Sequence, residues 1–316
     1  MNLLLAFGTL IIGFWLLTKG ADWFVEGSSK IAVKLHIPEI VVGLTIVAMG
    51  TSAPEAAISI NAAFHNNAGI SIGNVLGSNI LNIALILGVA SLIAKLPIKK
   101  STIKYEIPFV IFVTIVLMGL GYFFGGVNRI GAVILIILFL LFLSYLYWLT
   151  KQGEESVEGV EALSEKDTYP RLILTTIIGV CAIVLGSNLT VDSATTIAKF
   201  FGMSDRVIGL TIIAFGTSLP ELVTSVTAAR RGNTDIAIGN IVGSNIFNIL
   251  FVLGISGMVS PQMIPFASNF FFDGVIALIV AMMLFGFCYK DHELSKKGGI
   301  VFLLTYAIYL AYLLFA

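Results

Sequence analysis

Residues 43–55 read Gly-Leu-Thr-Ile-Val-Ala-Met-Gly-Thr-Ser-Ala-Pro-Glu, and 209–221 read Gly-Leu-Thr-Ile-Ile-Ala-Phe-Gly-Thr-Ser-Leu-Pro-Glu, a displacement of 166 residues. The same displacement, without a gap, carries Ile72-Gly-Asn-Val-Leu-Gly-Ser-Asn-Ile-Leu-Asn-Ile83 onto Ile238-Gly-Asn-Ile-Val-Gly-Ser-Asn-Ile-Phe-Asn-Ile249. It also places Gly13 on Gly179 and Gly20 on Gly186. The matched positions are mostly Gly, Ser, Thr, Asn, Pro and Glu, so shared apolar character does not account for them. The chain is an internal repeat, and its two halves must fold alike.

The medium for that fold follows from composition. Of 316 residues, 58% are hydrophobic and only 11% charged, with a mean hydropathy of +1.00. Soluble domains carry about 25% charged residues, so this is an integral membrane protein. A spanning helix needs about 20 largely apolar residues. Apolar runs predict spans near 3–19, 39–62, 70–94, 106–125, 129–150, 172–190, 205–228, 236–258, 269–288 and 298–315. The expected fold is all-α, with ten transmembrane helices. A polar stretch at 151–169, with Glu154, Glu155, Glu158, Glu161, Glu165 and Asp167, reads as a solvated linker. It divides a first repeat, 1–150, from a second, 170–316. The first residues have no positive n-region, so the first apolar run is expected to be a span and not a signal peptide.

Five spans per half is an odd number, so the second half must enter the membrane from the opposite side. Loop charges agree. With ten spans, the side holding the termini carries three basic residues, Arg129, Lys199 and Arg206. The other side carries the remaining fifteen of the 18. This positive-inside bias places the linker in the cytoplasm and both termini outside a cell membrane. Two inverted five-helix repeats are the architecture of secondary transporters, whose site lies near mid-membrane at the repeat interface.

Other functions are disfavoured. Basic residues cluster only in membrane-flanking loops, against a nucleic-acid partner. Cys181 and Cys288 both sit in apolar runs, against a disulfide framework or metal-thiolate site. The lack of His-Glu-x-x-His and of a mid-span Asp pair argues against an intramembrane hydrolase. No cofactor or protein partner beyond the bilayer is expected, and the chain does not read as an enzyme.

Of the eighteen acids, only Glu55 and Glu221 fall mid-span; Asp22, Glu26, Asp192, Asp205, Asp235 and Asp273 lie near predicted ends. A carboxylate at a helix centre costs about 2.5–3.5 kcal/mol on insertion scales, so such residues are functional by default. Pro54 lacks an N–H, so the carbonyl near Gly50 loses its helical bond. Gly-Thr-Ser-x-Pro-Glu should therefore break the helix and turn carbonyls, hydroxyls and one carboxylate toward one point, in each half. A simple proline kink would need none of these polar neighbours.

In the second motif Asn74, Ser78 and Asn82 are spaced four apart on one helical face, as are Asn240, Ser244 and Asn248. Gly73, Gly77, Gly239 and Gly243 form small-xxx-small ridges for close helix approach. Taken alone, this motif could be interhelical polar glue, but beside the Glu motif of the same repeat that is the weaker account. Two carboxylates about 5 Å apart at an effective dielectric near 20 would repel by about 3 kcal/mol. Cations or protons between them remove that cost. An all-oxygen ligand set selects hard ions such as Ca²⁺, and His36, His65 and His292 lie in or near loops.

With Gly50-Thr-Ser-Ala-Pro-Glu55 and Gly216-Thr-Ser-Leu-Pro-Glu221, each followed by a Gly-Asn-x-x-Gly-Ser-Asn helix, the sequence resembles the sodium/calcium exchanger branch of the cation/calcium exchanger superfamily, prokaryotic type. The resemblance covers both repeats and implies a Na⁺/Ca²⁺ antiporter with several Na⁺ sites around one Ca²⁺ site. It makes Glu55 and Glu221 the principal Ca²⁺ ligands, with carbonyls of Thr51 and Thr217. It assigns Ser52, Ser78, Ser218 and Ser244 to Na⁺ sites, the carbonyls of Ala48 and Ala214 to the outer and inner Na⁺ positions, and Asn82 and Asn248 to the centre. Potassium-dependent members carry Asp where Asn248 stands, which argues against K⁺ cotransport. The proton-coupled branch has an acid in the helix that here reads Gly73-Asn-Val-Leu-Gly-Ser78, so Na⁺ is favoured over H⁺. H⁺/Ca²⁺ antiport, K⁺-dependent exchange and an ion channel are the alternatives.

Overall fold

The computed structural model describes residues 3–65, 69–152, 163–164, 167–202 and 214–315. The first half holds α1 (Leu3–Leu35), α2 (Glu39–Thr51), α3 (Ala53–Phe64), α4 (Gly69–Ile93), α5 (Thr102–Phe124) and α6 (Arg129–Gln152). The second holds α7 (Tyr169–Phe200), α8 (Ala214–Gly216), α9 (Leu219–Arg230), α10 (Thr234–Val259), α11 (Ser268–Asp291) and α12 (Lys296–Phe315). Eight helices are long and apolar enough to cross a membrane, and α2 with α3 forms one bent span, nine among the described residues. The chain is an all-helical multi-pass membrane protein. The expected span 205–228 includes residues up to 213 that lie outside the described ones, and α8 with most of α9 is its described remainder. Most of the 151–169 linker and Asp205 also lie outside them.

Two spans are longer than their apolar runs. The first was expected to end at 19 and the sixth at 190, but α1 continues to Leu35 and α7 to Phe200. In α1 the reason is that the charges beyond that point are paired, both within the helix and from outside it. Lys30 Nζ lies 2.9 Å from Glu26 Oε1 one turn earlier, and Arg231 reaches Asp22 at 3.2 Å and Glu26 at 3.8 Å. At about 1.5 Å per residue, helices of this length exceed a hydrocarbon core of about 30 Å. α1 stops where His36 takes a left-handed φ of 53° and Pro38 follows.

α1 and α7 lie side by side through glycines. A Cβ on Gly20 would meet the Ile183 nitrogen at 2.8 Å and the Gly179 carbonyl at 2.9 Å; one on Gly179 would meet the Phe24 nitrogen at 2.6 Å. Backbones this close gain dispersion contacts that larger residues would prevent. The ridge expected in the second motif does the same in α10, where a Cβ on Gly243 would lie 2.7 Å from Leu44 Cα of α2. The matching ridge of α4 shows no such approach among the described residues, where a Cβ on Gly73 would meet only the Phe270 ring, at 3.4 Å, and one on Gly77 nothing within 4 Å.

α10 is buried almost throughout and α4 over most of its length, so these two form the middle of the bundle. Lipid-type surface lies on the outer helices, with Ile11, Trp15, Phe123, Leu141 and Ile308 exposed. Two short strand pairs clasp the connections. β1 (Leu96–Pro97) pairs antiparallel with β4 (Glu293–Leu294), and β2 (Gly126–Val127) with β3 (Ile264–Pro265). Asp167, just before α7, accepts from the Ser164 N–H at 2.9 Å and lies 3.5 Å from Lys30 of α1.

Candidate metal site

The expected breaks are present. α2 and α3 meet at an angle of 53°. The hinge residue Ser52 has φ −82°, ψ 8°, and its counterpart Ser218 has φ −92°, ψ 6°. Pro54 and Pro220 sit in the first turns of α3 and α9, where a missing N–H costs nothing within the new helix. The old helix does lose a bond, since each proline withholds the donor for the carbonyl four residues earlier. In the second half that carbonyl, Gly216 O, accepts from Ser187 Oγ of α7 at 2.7 Å. The repeat counterpart of Ser187 is Ala21 of α1, which has no donor. The two breaks are therefore held differently.

Glu55 and Glu221 each fall in the first turn of the helix after its break, the end that favours negative charge. Both are fully buried. Their bonds cross between halves: Ser52 Oγ donates to Glu221 Oε1 at 2.6 Å, and Ser218 Oγ donates to Glu55 Oε1 at 3.2 Å. Each acid is thereby tied to the break of the other half. Behind them, Asn74 donates to the Glu55 carbonyl at 3.2 Å and to Ser59 Oγ at 2.9 Å. Asn240 donates likewise to the Glu221 carbonyl at 3.4 Å and to Ser225 Oγ at 2.9 Å. These asparagines hold the broken helices from α4 and α10.

The facing wall comes from the middles of α4 and α10. Each turns to a π-helical segment directly at the motif asparagine, Asn82–Leu87 and Asn248–Val252; such bulges are frequent at functional sites. Asn82 Nδ2 donates to Asn245 Oδ1 at 3.0 Å, and Asn248 Nδ2 to Asn79 Oδ1 at 3.2 Å. Five buried oxygens then have no hydrogen-bond partner among the described residues: Glu55 Oε2, Glu221 Oε2, Asn82 Oδ1, Asn248 Oδ1 and Ser244 Oγ. Leaving a buried polar atom unpaired costs about 1–3 kcal/mol, more for a charged group. Four of the five can only accept. Such a set suits a hard cation, and no group of three or more His, Cys, Asp or Glu side chains occurs among the described residues to suit a softer one.

The remaining expected ligands stand as follows. Ala48 and Thr51 are buried at the end of α2, and Thr51 Oγ1 donates to Asn240 Oδ1 at 3.0 Å. Ser78 is buried on α4. Thr217 lies in the second break, with its hydroxyl near Glu55. Ala214 begins α8, and its side chain lies outside the described residues. Spacing alone missed Asn79, Asn245, Ser59, Ser225 and Ser187. The first two stood inside the recognised motif, but their roles depend on a helix 166 residues away.

The family model for "Sodium/calcium exchanger protein" matches residues 5–148 and 171–315. The chain is 37% identical over 347 residues to sodium/calcium exchanger MaX1 of Methanosarcina acetivorans, covering 97% of this chain and 97% of that protein. It is 33% identical over 321 residues to inner membrane protein YrbG of Escherichia coli, covering 98% and 97%. A solved structure of the sodium-calcium exchanger NCX_Mj, soaked with zero Na⁺ and Ca²⁺, superimposes with a TM-score of 0.85 at 35% identity, over 99% of this chain and 100% of that one.

Proposed function

The chain belongs to the sodium/calcium exchanger family, and from that premise we propose that it exchanges Na⁺ for Ca²⁺ by alternating access around Glu55 and Glu221. The observation that carries this reading is the crossed pair of buried glutamates with their unpartnered oxygens, joined by those of Asn82, Asn248 and Ser244. Both carboxylates bind Ca²⁺, with carbonyls of Thr51 and Thr217. Na⁺ shares the carboxylates and uses Ser52, Ser78, Ser218, Ser244 and the Ala48 and Ala214 carbonyls. Two ionised carboxylates with no counter-charge are costly to enclose in a dry site, so the occluded form must carry ions in each direction. That is the physical origin of obligatory exchange.

Access alternates as α1 and α7 slide past the bundle. The glycine contacts between them support a joint movement, because backbones packed this closely hold the two helices as one unit.

The layout is two inverted repeats of five spans, 1–150 and 170–316, in a cell membrane with the termini outside and the 151–169 linker in the cytoplasm. The strand pairs support it by parity. Antiparallel partners must lie on one side of the membrane. With 205–228 counted as a crossing, the chain crosses six times between β1 and β4 and four times between β2 and β3. Without it both numbers become odd.

Transport in proteoliposomes tests the function. An outward Na⁺ gradient should drive Ca²⁺ uptake, and collapse of that gradient should stop it. Uptake that follows an imposed proton gradient and ignores Na⁺ would replace the proposal with H⁺/Ca²⁺ antiport. A requirement for K⁺ would make it K⁺-dependent exchange.

A further inference from the structure

Asn79 and Asn245 belong to no expected ligand set, yet they join the two halves at the middle of the bundle. Asn79 Nδ2 donates to the backbone carbonyl of Asn245 at 3.1 Å, and Asn245 Nδ2 donates to the backbone carbonyl of Asn79 at 3.1 Å. Both residues are buried. A backbone carbonyl only accepts, so it fixes which end of each side-chain amide is the NH₂ group. The other end, Oδ1, must then accept. Asn79 Oδ1 takes the Nδ2 of Asn248, and Asn245 Oδ1 takes the Nδ2 of Asn82. Each of those amides has one donor group and one acceptor. With the donors so engaged, Asn82 Oδ1 and Asn248 Oδ1 are the atoms left without a partner among the described residues.

We infer that Asn79 and Asn245 are positioning residues that set the faces of the Asn248 and Asn82 amides, so that the cation meets two carbonyl oxygens and no N–H there. The inference rests on the proposed cation site and names what orients two of its ligands. Without the clamp, either amide is free to turn. An NH₂ group would then face a cation and contribute repulsion in place of a ligand. The clamp also spans the repeat interface, so the same four bonds hold α4 and α10 together while they aim the ligands.

Calorimetric Ca²⁺ titration of the purified full chain in Na⁺-free nanodiscs tests it. Asn79→Leu removes the acceptor that holds Asn248 and should weaken Ca²⁺ binding about tenfold, the worth of one ligand. In an Asn248→Asp background either carboxylate oxygen can face the ion, so adding Asn79→Leu should change affinity by less than about twofold. Asn79→Asp, protonated in this buried setting, can still donate to the Asn245 carbonyl and accept from Asn248, and should stay within about threefold of the parent. If Asn79→Leu does not fold, Asn245→Leu with and without Asn82→Asp is read in the same way.

Parental affinity in Asn79→Leu would overturn the inference. So would an equal loss with and without Asn248→Asp, which a packing role alone would produce. Glu55→Gln in the same assay separates the two claims. If it binds Ca²⁺ like the parent, the proposed site itself fails, and the inference falls with it. If it loses binding while Asn79→Leu keeps it, the site stands and the clamp does not.

Discussion

The hydroxyl of Ser52 donates to the carboxylate of Glu221 at 2.6 Å, across 169 residues of sequence. The hinge of one broken helix thereby holds the acid of the other, and Ser218 does the same for Glu55. Neither acid can leave the centre without disturbing the opposite half.

Neutralising either acid should therefore remove divalent binding. Glu55→Gln and Glu221→Gln keep the shape but replace a charged oxygen by an NH₂ group in a buried site. Breaking one partner out of a buried charged cluster costs about 3–5 kcal/mol, which corresponds to at least about a hundredfold. Ca²⁺ titration calorimetry checks this, and near-parental affinity in both variants would show the site to be elsewhere.

The α1–α7 contact should govern transport more than binding. In Gly179→Ala the added Cβ would sit 2.6 Å from the Phe24 nitrogen and 2.8 Å from its Cα, backbone atoms that cannot turn aside. Overpacking of this kind costs about 1–3 kcal/mol and separates the helices. Exchange in proteoliposomes should fall by about tenfold or more, with Ca²⁺ affinity within about threefold of the parent. Equal losses in both measurements would mean that the glycine serves the site or the fold and not the proposed movement of the α1–α7 pair.

Acid should loosen the connection ahead of α7. The backbone N–H of Ser164, its hydroxyl and the Lys30 ammonium hold the Asp167 carboxyl below the usual carboxylate range, against the effect of its partial burial. Since its folded pKa is lower than its unfolded one, the stabilisation is full above the unfolded value and is lost as pH falls through the folded value. The melting temperature of the parent should thus drop more between neutral pH and strongly acidic pH than that of Asp167→Asn. An identical drop would show that this contact contributes nothing.

Sidedness follows from the strand pairs and the basic loops. In a chain with Cys181 and Cys288 replaced by Ser, Lys100→Cys and Lys296→Cys flank β1 and β4 and should react with an impermeant maleimide only from the cytoplasmic side. Gln262→Cys, before β3, should react only from outside. Reaction of Lys100→Cys and Gln262→Cys from the same side would exclude the ten-span arrangement.

What could be read without coordinates was the chemistry that is local to the chain. Apolar runs require a membrane because lipid cannot solvate charge, and helices span it because their backbone bonds are satisfied internally. Pro54 and Pro220 break their helices because an imino nitrogen has no hydrogen to donate, whatever surrounds it. Glu55 and Glu221 were conspicuous because a mid-span acid must be compensated.

Tertiary structure decided everything that depends on which atom arrives from the other half. The apolar run ended α1 at 19, yet the helix reaches Leu35, because Arg231, far along the sequence, pairs with Asp22 and Glu26. Ser187 caps the Gly216 carbonyl while Ala21 leaves its counterpart without such a bond, an asymmetry hidden by the matching motifs. Asn79 and Asn82 are the same residue type three positions apart. One turns its amide to a backbone carbonyl, and the other keeps its oxygen free. An amide has no preferred end of its own, so only the groups packed against it choose.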